Sequence, residues 1–274
     1  MDDCSNEPVK MEVFKAAPSK TECRIVRLNK IRGANYARNI GIEKAQGKYI
    51  AMLDDDDLFL PNKIKVMQDH IARYPDIDVF YHRSNIFLVR ENISYITFPI
   101  KQVEDDFLNK MLIKNVVGGT PMLVLKRQTL QEIKGFEISL KALQDYELLL
   151  RLVTLGYKFK YVDKLLTTCR VVTQIPSISK SIISHNSAVK AIESKYKKHF
   201  ENMSSKDKKL KLINNDRLII HKLLLNKEKN TALKMSIKLL LKTGYFQYVF
   251  FTIAILLGDK FVLLIRKRFS IIFK

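Results

Sequence analysis

Four consecutive carboxylates, Asp54, Asp55, Asp56 and Asp57, constrain the fold of this chain more than any other feature. They follow at once on the apolar run 49–53, which predicts a short buried strand. Pro61 comes shortly after them and suits the first turn of a helix, where a missing backbone N–H costs nothing. The acids therefore fall where a strand gives way to a helix, the place where open α/β sheets bind ligands. Adjacent carboxylates disfavour one another's charge and so favour a cation between them. Oxygen-only ligands select a hard ion, Mg²⁺ or Mn²⁺. An acidic helix-capping turn has the same composition, so the run alone leaves both readings open. An EF-hand is excluded, because the loop lacks the central glycine and the glutamate at its twelfth position.

Around this turn the pattern alternates. Residues 23–28 predict a strand. Residues 33–45 predict a helix with Ala34, Ala37, Ile40 and Gly41 on a small-residue face, closed by Gly47. A second helix is expected over 61–73, and extended chain over 79–90 and 93–98. The order β-α-β-α-β implies an α/β sheet. A second segment opens near Val103, with a helix over 104–114, a strand over 121–126, a helix over 127–133 and a loop from Gly135-Phe136. Leu148, Leu149, Leu152 and Leu155 then mark the buried side of a helix over 143–153, with Asp145 in its first turn and Arg151 one turn beyond Glu147. Residues 157–172 read as extended.

From Ser184 onward the chain is helical and basic, with helices expected over 188–200, 208–225 and 231–241. Residues 190–274 hold twenty Lys and Arg against six Asp and Glu, so most of the net charge of +20 lies there. Such a surplus implies an anionic partner, a membrane surface or a nucleic acid. The basic stretches lack interleaved aromatics, which argues against nucleic acid. The apolar stretch 245–257 falls short of the ~20 residues of a spanning helix and suits one lying in the interface. Arg266-Lys267-Arg268 beside Phe269, Ile271, Ile272 and Phe273 suits an anionic leaflet. Cys4, Cys23 and Cys169 are too few and too scattered for a disulfide framework, which fits a cytoplasmic protein, peripheral on the inner face of the membrane. The five histidines show no metal-ligand spacing, and His185 reads as exposed at a helix start.

Three stretches together resemble one family, the inverting family 2 glycosyltransferases of GT-A fold. Asp2-Asp3-Cys4-Ser5 is similar to their D-D-x-S turn. Residues 33–41 (Gly-Ala-Asn-Tyr-Ala-Arg-Asn-Ile-Gly), running on through 47–57 to Leu60-Pro61, resemble their G-x-x-x-A-R-N-x-G and L-D-x-D-D-x-x-x-P signatures. Gly135-Phe136 followed by 144–151 (Gln-Asp-Tyr-Glu-Leu-Leu-Leu-Arg) resembles their G-G-F and D-Y-D-L-W-L-R elements. The resemblance covers residues 1 to about 172. It implies an α/β, Rossmann-like mixed sheet flanked by helices over 1–183, nucleotide-binding in 1–100 and acceptor-binding in 101–183. Residues 184–274 then form a basic helical extension.

The resemblance also implies roles. Asp56, with Asp54, would ligate Mn²⁺ or Mg²⁺, and the ion would neutralise charge on a departing diphosphate. Asp54 and Asp55 would lie by the ribose and the sugar of a nucleotide-sugar donor, a UDP-sugar. Asp3 would accept the imide N–H of uracil. Asp145 would be the general base toward an acceptor hydroxyl, although a helix N-terminus tends to hold a carboxylate low. Arg38 and Asn39 are expected to brace the acidic turn, and Tyr146 to sit in the core. The acceptor implied is a glycan, carried on a lipid diphosphate, in cell-surface polysaccharide synthesis. The family ordinarily begins with a further strand and helix, about 30 residues by the size of such a unit. From that we expect an incomplete sequence and an unstable or inactive chain, a pseudoenzyme or sugar-nucleotide-binding module being the alternative to an enzyme.

Overall fold

The computed structural model describes residues 1–15, 21–101, 106–172, 181–244 and 247–257. The expected helix start at 104 and the basic cluster Arg266-Lys267-Arg268, with its apolar neighbours, lie outside the described residues.

A six-stranded mixed sheet forms the centre. Its strands are β1 (Tyr49–Ala51), β2 (Leu58–Phe59), β3 (Val79–Leu88), β4 (Ile93–Ile96), β5 (Leu123–Lys126) and β6 (Phe159–Val171), in the order β1-β5-β3-β6-β2. β3 and β6 run parallel, from Val79 against Phe159 to Leu88 against Val171, while β5 and β4 pair antiparallel with β3. β1 pairs antiparallel with β5, and β2 with β6. So β1, β3 and β6 point the same way, and the acidic turn lies at the carboxyl end of that set. β3 is buried from Val79 to His82 and again at Ser84 and Leu88, and its apolar run Val79-Phe80-Tyr81 is what a central strand covered on both faces requires.

The first helices fall where the apolar spacing places them: α1 (Ala34–Lys44), α2 (Lys63–Arg73), α3 (Phe107–Ile113), α4 (Arg127–Glu132) and α5 (Gln144–Thr154). The expected strand over 23–28 does not form. Only Arg27 bridges, to Asp2, because Asp2 offers a single pair of backbone bonds, to Val26 and Leu28, and no longer partner. The second helix starts at Lys63 rather than Pro61, with the chain in a turn through Pro61 and Asn62.

The C-terminal region is helical throughout its described part: α6 (Ile182–Lys195), α7 (Lys197–Glu201), α8 (Ser205–Leu225), α9 (Lys229–Thr243) and α10 (Gln247–Leu257). The main core, built on Tyr81, Leu123, Leu125, Leu148 and Leu149, also takes in Ala188, Ile192, Tyr196 and Met203. The packed unit therefore runs past residue 183. α8, α9 and α10 close over a separate core of Ile213, Ile220, Leu223, Leu239 and Ile255. His185, expected to be exposed, is buried, and its Nε2 meets Asn215 Oδ1 on α8 at 2.9 Å. α6 starts six residues before the expected helix, so His185 falls inside it and faces α8. Among the described residues no helix is long and apolar enough to cross a membrane.

Candidate active site

The N-terminal turn is built on Asp2. Its carboxylate is buried, accepts the Ser5 N–H at 2.8 Å and pairs with Arg27 at 2.9 Å. The Ser5 hydrogen bonds, with Arg27 adding, hold it below the usual carboxylate range. That anchor delivers Asp3 to the start of α1. Asp3 Oδ1 accepts the Arg32 N–H at 2.8 Å and Oδ2 the Gly33 N–H at 2.7 Å. Both donors lie just ahead of the helix, where a carboxylate also gains from the positive end of the dipole. Each Asp3 oxygen keeps a further lone pair.

The acidic turn closes when Asp57 N–H bonds to the Asp54 carbonyl at 3.1 Å. Asp57 points inward, is buried, and its Oδ1 accepts the Arg170 N–H of β6 at 2.9 Å. Burial, with the Asp56 and Asp54 charges adding, pushes Asp57 up to about 6. Asp55 and Asp56 point outward and are exposed. Loss of water on its inner side, then the Asp55 and Asp54 charges, raise the Asp56 carboxyl. Arg38 of α1 donates to Asp54 Oδ1 at 2.7 Å, and its guanidinium also stacks 5.6 Å from the centre of the Phe136 ring. Arg38 thus braces the turn, as expected. Asn39 does not. Its side chain pairs in both directions with the Phe136 backbone, at 2.7 and 2.9 Å, because one residue along the helix turns it by about 100° and aims it at the 135–137 loop instead.

Asp145 is the second residue of α5, and half-buried. Its Oδ1 accepts the Tyr146 N–H at 2.8 Å. The expectation that the helix start would hold this carboxyl low is overturned. Desolvation outweighs that hydrogen bond and the Arg38 charge and pushes it up, with Asp54 pushing in the same direction. The charges that act on Asp145 are those of the Arg38–Asp54 pair, which puts the base candidate within electrostatic reach of the acidic turn. Gly119 lies beside Asp145: a Cβ there would stand 3.5 Å from Asp145 Oδ2, in ordinary contact. Asn115 holds that glycine turn, accepting the Val117 and Gly118 N–H groups at 3.0 Å each. Tyr146 points into the core, as expected, and donates to the Met111 carbonyl at 2.8 Å. Arg151 pairs with Glu147 at 3.1 Å, also as expected.

Two features had no reading in the sequence. Asp57 was visible as the last acid of the run, but its inward role was not. Beneath the turn, Lys63 is fully buried, donates to the Pro121 carbonyl at 2.8 Å and to Thr167 Oγ1 at 3.2 Å, and caps the Phe59 ring. The only prior signal was a lysine at an inward position of an amphipathic helix.

Among the described residues, no three His, Cys, Asp or Glu side chains converge as a metal-holding group. One or two exposed carboxylates are what Mg²⁺ or Mn²⁺ needs from protein when diphosphate oxygens and water complete its shell, so the donor set of Asp54 and Asp56 fits such an ion.

Residues 1–132 match the family model described as Glycosyl transferase family 2. A protein of Haemophilus influenzae described as an uncharacterized glycosyltransferase is 28% identical over 268 residues, which is 97% of this chain and 87% of its own length. AmsB of Erwinia amylovora, an amylovoran biosynthesis glycosyltransferase, is 30% identical over 154 residues, 54% of this chain and 50% of its own. Residues 1–349 of S. aureus TarS, solved in complex with UDP-GlcNAc, superpose with a TM-score of 0.53 at 14% identity, over 82% of this chain and 61% of that one. The chain thus spans about half of AmsB, and the likeness to TarS speaks for the fold alone.

Proposed function

We propose, from the premise that this chain belongs to glycosyl transferase family 2 and has the GT-A type of fold, that it moves a sugar from a nucleotide-diphosphate donor to a hydroxyl of a growing polysaccharide. The observation that carries this is the bridge made by Arg38, which pairs with Asp54 at 2.7 Å and stacks 5.6 Å from the centre of the Phe136 ring, and so ties the acidic turn to the loop that leads into α5 and Asp145. The amylovoran biosynthesis relative supports polysaccharide as the product class.

In this reading Asp145 Oδ2, on the side that Gly119 leaves open, takes the proton of the acceptor hydroxyl. The freed oxygen bonds to the anomeric carbon while the bond from that carbon to the diphosphate breaks, and the leaving diphosphate keeps the electron pair. One displacement from the face opposite the leaving group inverts the centre. A divalent ion held by Asp56 and Asp54 would neutralise charge on that diphosphate. Asp3 and Asp55 orient the donor. Asp3 is fixed by two backbone donors and retains acceptor capacity for an imide N–H, which favours a UDP-sugar.

The same reading places the enzyme on the cytoplasmic face of an anionic membrane, with a lipid-diphosphate-linked acceptor. α9 and α10 support it, because neither contains an acid, α9 carries lysines, and the two expose Ile237, Leu241 and Leu256. Screening UDP- and GDP-sugars with Mn²⁺ for release of nucleoside diphosphate tests the activity. Release that survives both Asp145→Asn and Asp56→Ala would exclude it.

A further inference from the structure

α5 begins without the usual means of holding a helix end. No side chain caps it, and the residue at the cap position, Leu143, sits at φ 57, a left-handed conformation that is costly for a branched residue. Something else must fix the first turn, and with it Asp145. Glu147 does so from the opposite side of the helix. It is fully buried. Its Oε1 accepts from Lys195 Nζ at 2.8 Å and from Tyr196 OH at 2.9 Å, and its Oε2 from Arg151 Nη2 at 3.1 Å. The two cations go on to hold the loop that leads into α5. Arg151 donates to the carbonyls of Ile133 at 2.8 Å and Gly135 at 2.6 Å, and Lys195 reaches Glu137 Oε2 at 3.4 Å.

We infer that Lys195 and Tyr196, at the end of α6, are positioning residues for Asp145, acting through Glu147 to set the first turn of α5 against the cleft. The C-terminal helices are then part of the catalytic apparatus rather than an appendage. This rests on the reading of Asp145 as the base. A buried carboxylate with three donors, two of them charged, is over-determined, which is what holding a strained entry requires. Displacing a reacting group by about 1 Å costs about 100-fold in rate. Loss of one of the three donors should therefore slow turnover without removing the base.

The test compares Tyr196→Phe, Lys195→Met and Lys195→Arg in the full chain, with Lys197→Ala on the exposed side of α7 as control. Two quantities are read. One is the titration of the Asp145 carboxyl by ¹³C NMR, assigned by its loss in Asp145→Asn. The other is hydrolysis of UDP-GlcNAc, UDP-glucose, UDP-galactose and GDP-mannose with Mn²⁺. The expected result is that Tyr196→Phe and Lys195→Met lower kcat about 10-fold or more at unchanged donor KM. Asp145 should move in both toward the ordinary carboxylate range, away from its desolvated value, under the same Arg38 and Asp54 charges. Lys195→Arg restores both, and the control changes neither. An Asp145 titration unmoved in Tyr196→Phe and Lys195→Met, or a kcat loss matched by an equal rise in donor KM, overturns the inference. Turnover that survives Asp145→Asn would instead overturn the reading of the base itself.

Discussion

The acidic turn and the start of α5 are linked through Arg38 and the Phe136 loop and are built in opposite ways. In the turn, Asp55 and Asp56 stand in water, Asp54 shares one guanidinium, and only Asp57 is sunk, fastened to β6. At α5 Asp145 is desolvated, and the structure behind it is a buried ionic network. The roles proposed for these carboxylates account for the difference. Carboxylates that receive a hydrated cation and a diphosphate need oxygens that are accessible and charged. A carboxylate that takes a proton works best when loss of water has brought its affinity nearer to the operating pH. Asp57 serves the first group by leaving it, since it anchors the turn so that its neighbours need not be buried.

If this division holds, the two halves respond differently to loss of a carboxylate. The largest effect is expected at Asp145. Asp145→Asn keeps the shape and the Tyr146 N–H contact but cannot take a proton, so kcat should fall about 10²- to 10⁴-fold with donor affinity unchanged, as read by steady-state kinetics and isothermal titration. Asp56→Ala should act the other way round. A turnover loss of about 10²-fold should come with a weakened Mn²⁺ requirement and lower donor affinity. A fall in donor affinity on Asp145→Asn, or none on Asp56→Ala, would break the comparison.

A structural change in the loop ahead of α5 should disturb the acidic turn less than it disturbs α5. Gly135 has φ 64, and a Cβ there would collide with Asn39 Oδ1, the atom that accepts the Phe136 N–H. Gly135→Ala combines left-handed strain with loss of that hydrogen bond, and should cost about 2–4 kcal/mol in denaturant unfolding. Arg38 joins the halves, lying between Asp54 and the Phe136 ring, so some loosening should reach Asp54. Mn²⁺ affinity should nevertheless change less than kcat.

Much of this layout was legible in the residues. α2 and α5 fell within a few positions of their expected bounds because each carries a strong apolar period, α1 because of its small-residue face and β3 because of its apolar start, and the acidic turn fell at a strand end as its flanks required. The partners were not legible. That β6 inserts beside β3, that Asn39 turns to Phe136, and that Glu147 waits for Lys195 and Tyr196 are long-range pairings with no local signature. The strand expected over 23–28 failed for the same reason, since an extended run becomes a strand only where a neighbour pairs with it. Beneath the turn the buried Lys63 has His82 and Cys169 as electrostatic neighbours, a polar cluster that was hidden because each looks like an ordinary member of an amphipathic element.

That cluster gives the smallest and most specific effect. Burial pulls Lys63 down to about 7, with the neighbouring Cys169 opposing slightly. Unfolded, the amine titrates near its ordinary value of 10.5. Between about 7 and that value the unfolded chain holds a proton that the folded one has released, so stability rises with pH through this window and Lys63 adds no slope below it. Cys169 acts in the opposite direction at higher pH. Burial pushes its thiol up to about 12 from 9, so the folded chain keeps a proton that the unfolded one loses, and stability falls there. The two separate cleanly between pH 7 and 9. Lys63→Met should flatten the rise of unfolding free energy across that interval, by about 1–2 kcal/mol in urea titrations at fixed ionic strength. Because Lys63 reaches Pro121 and Thr167 and no carboxylate of the turn, the Mn²⁺ affinity of the variant should stay within about twofold of wild type at pH 7. A slope that persists in Lys63→Met would assign it to another group and detach the buried amine from this comparison.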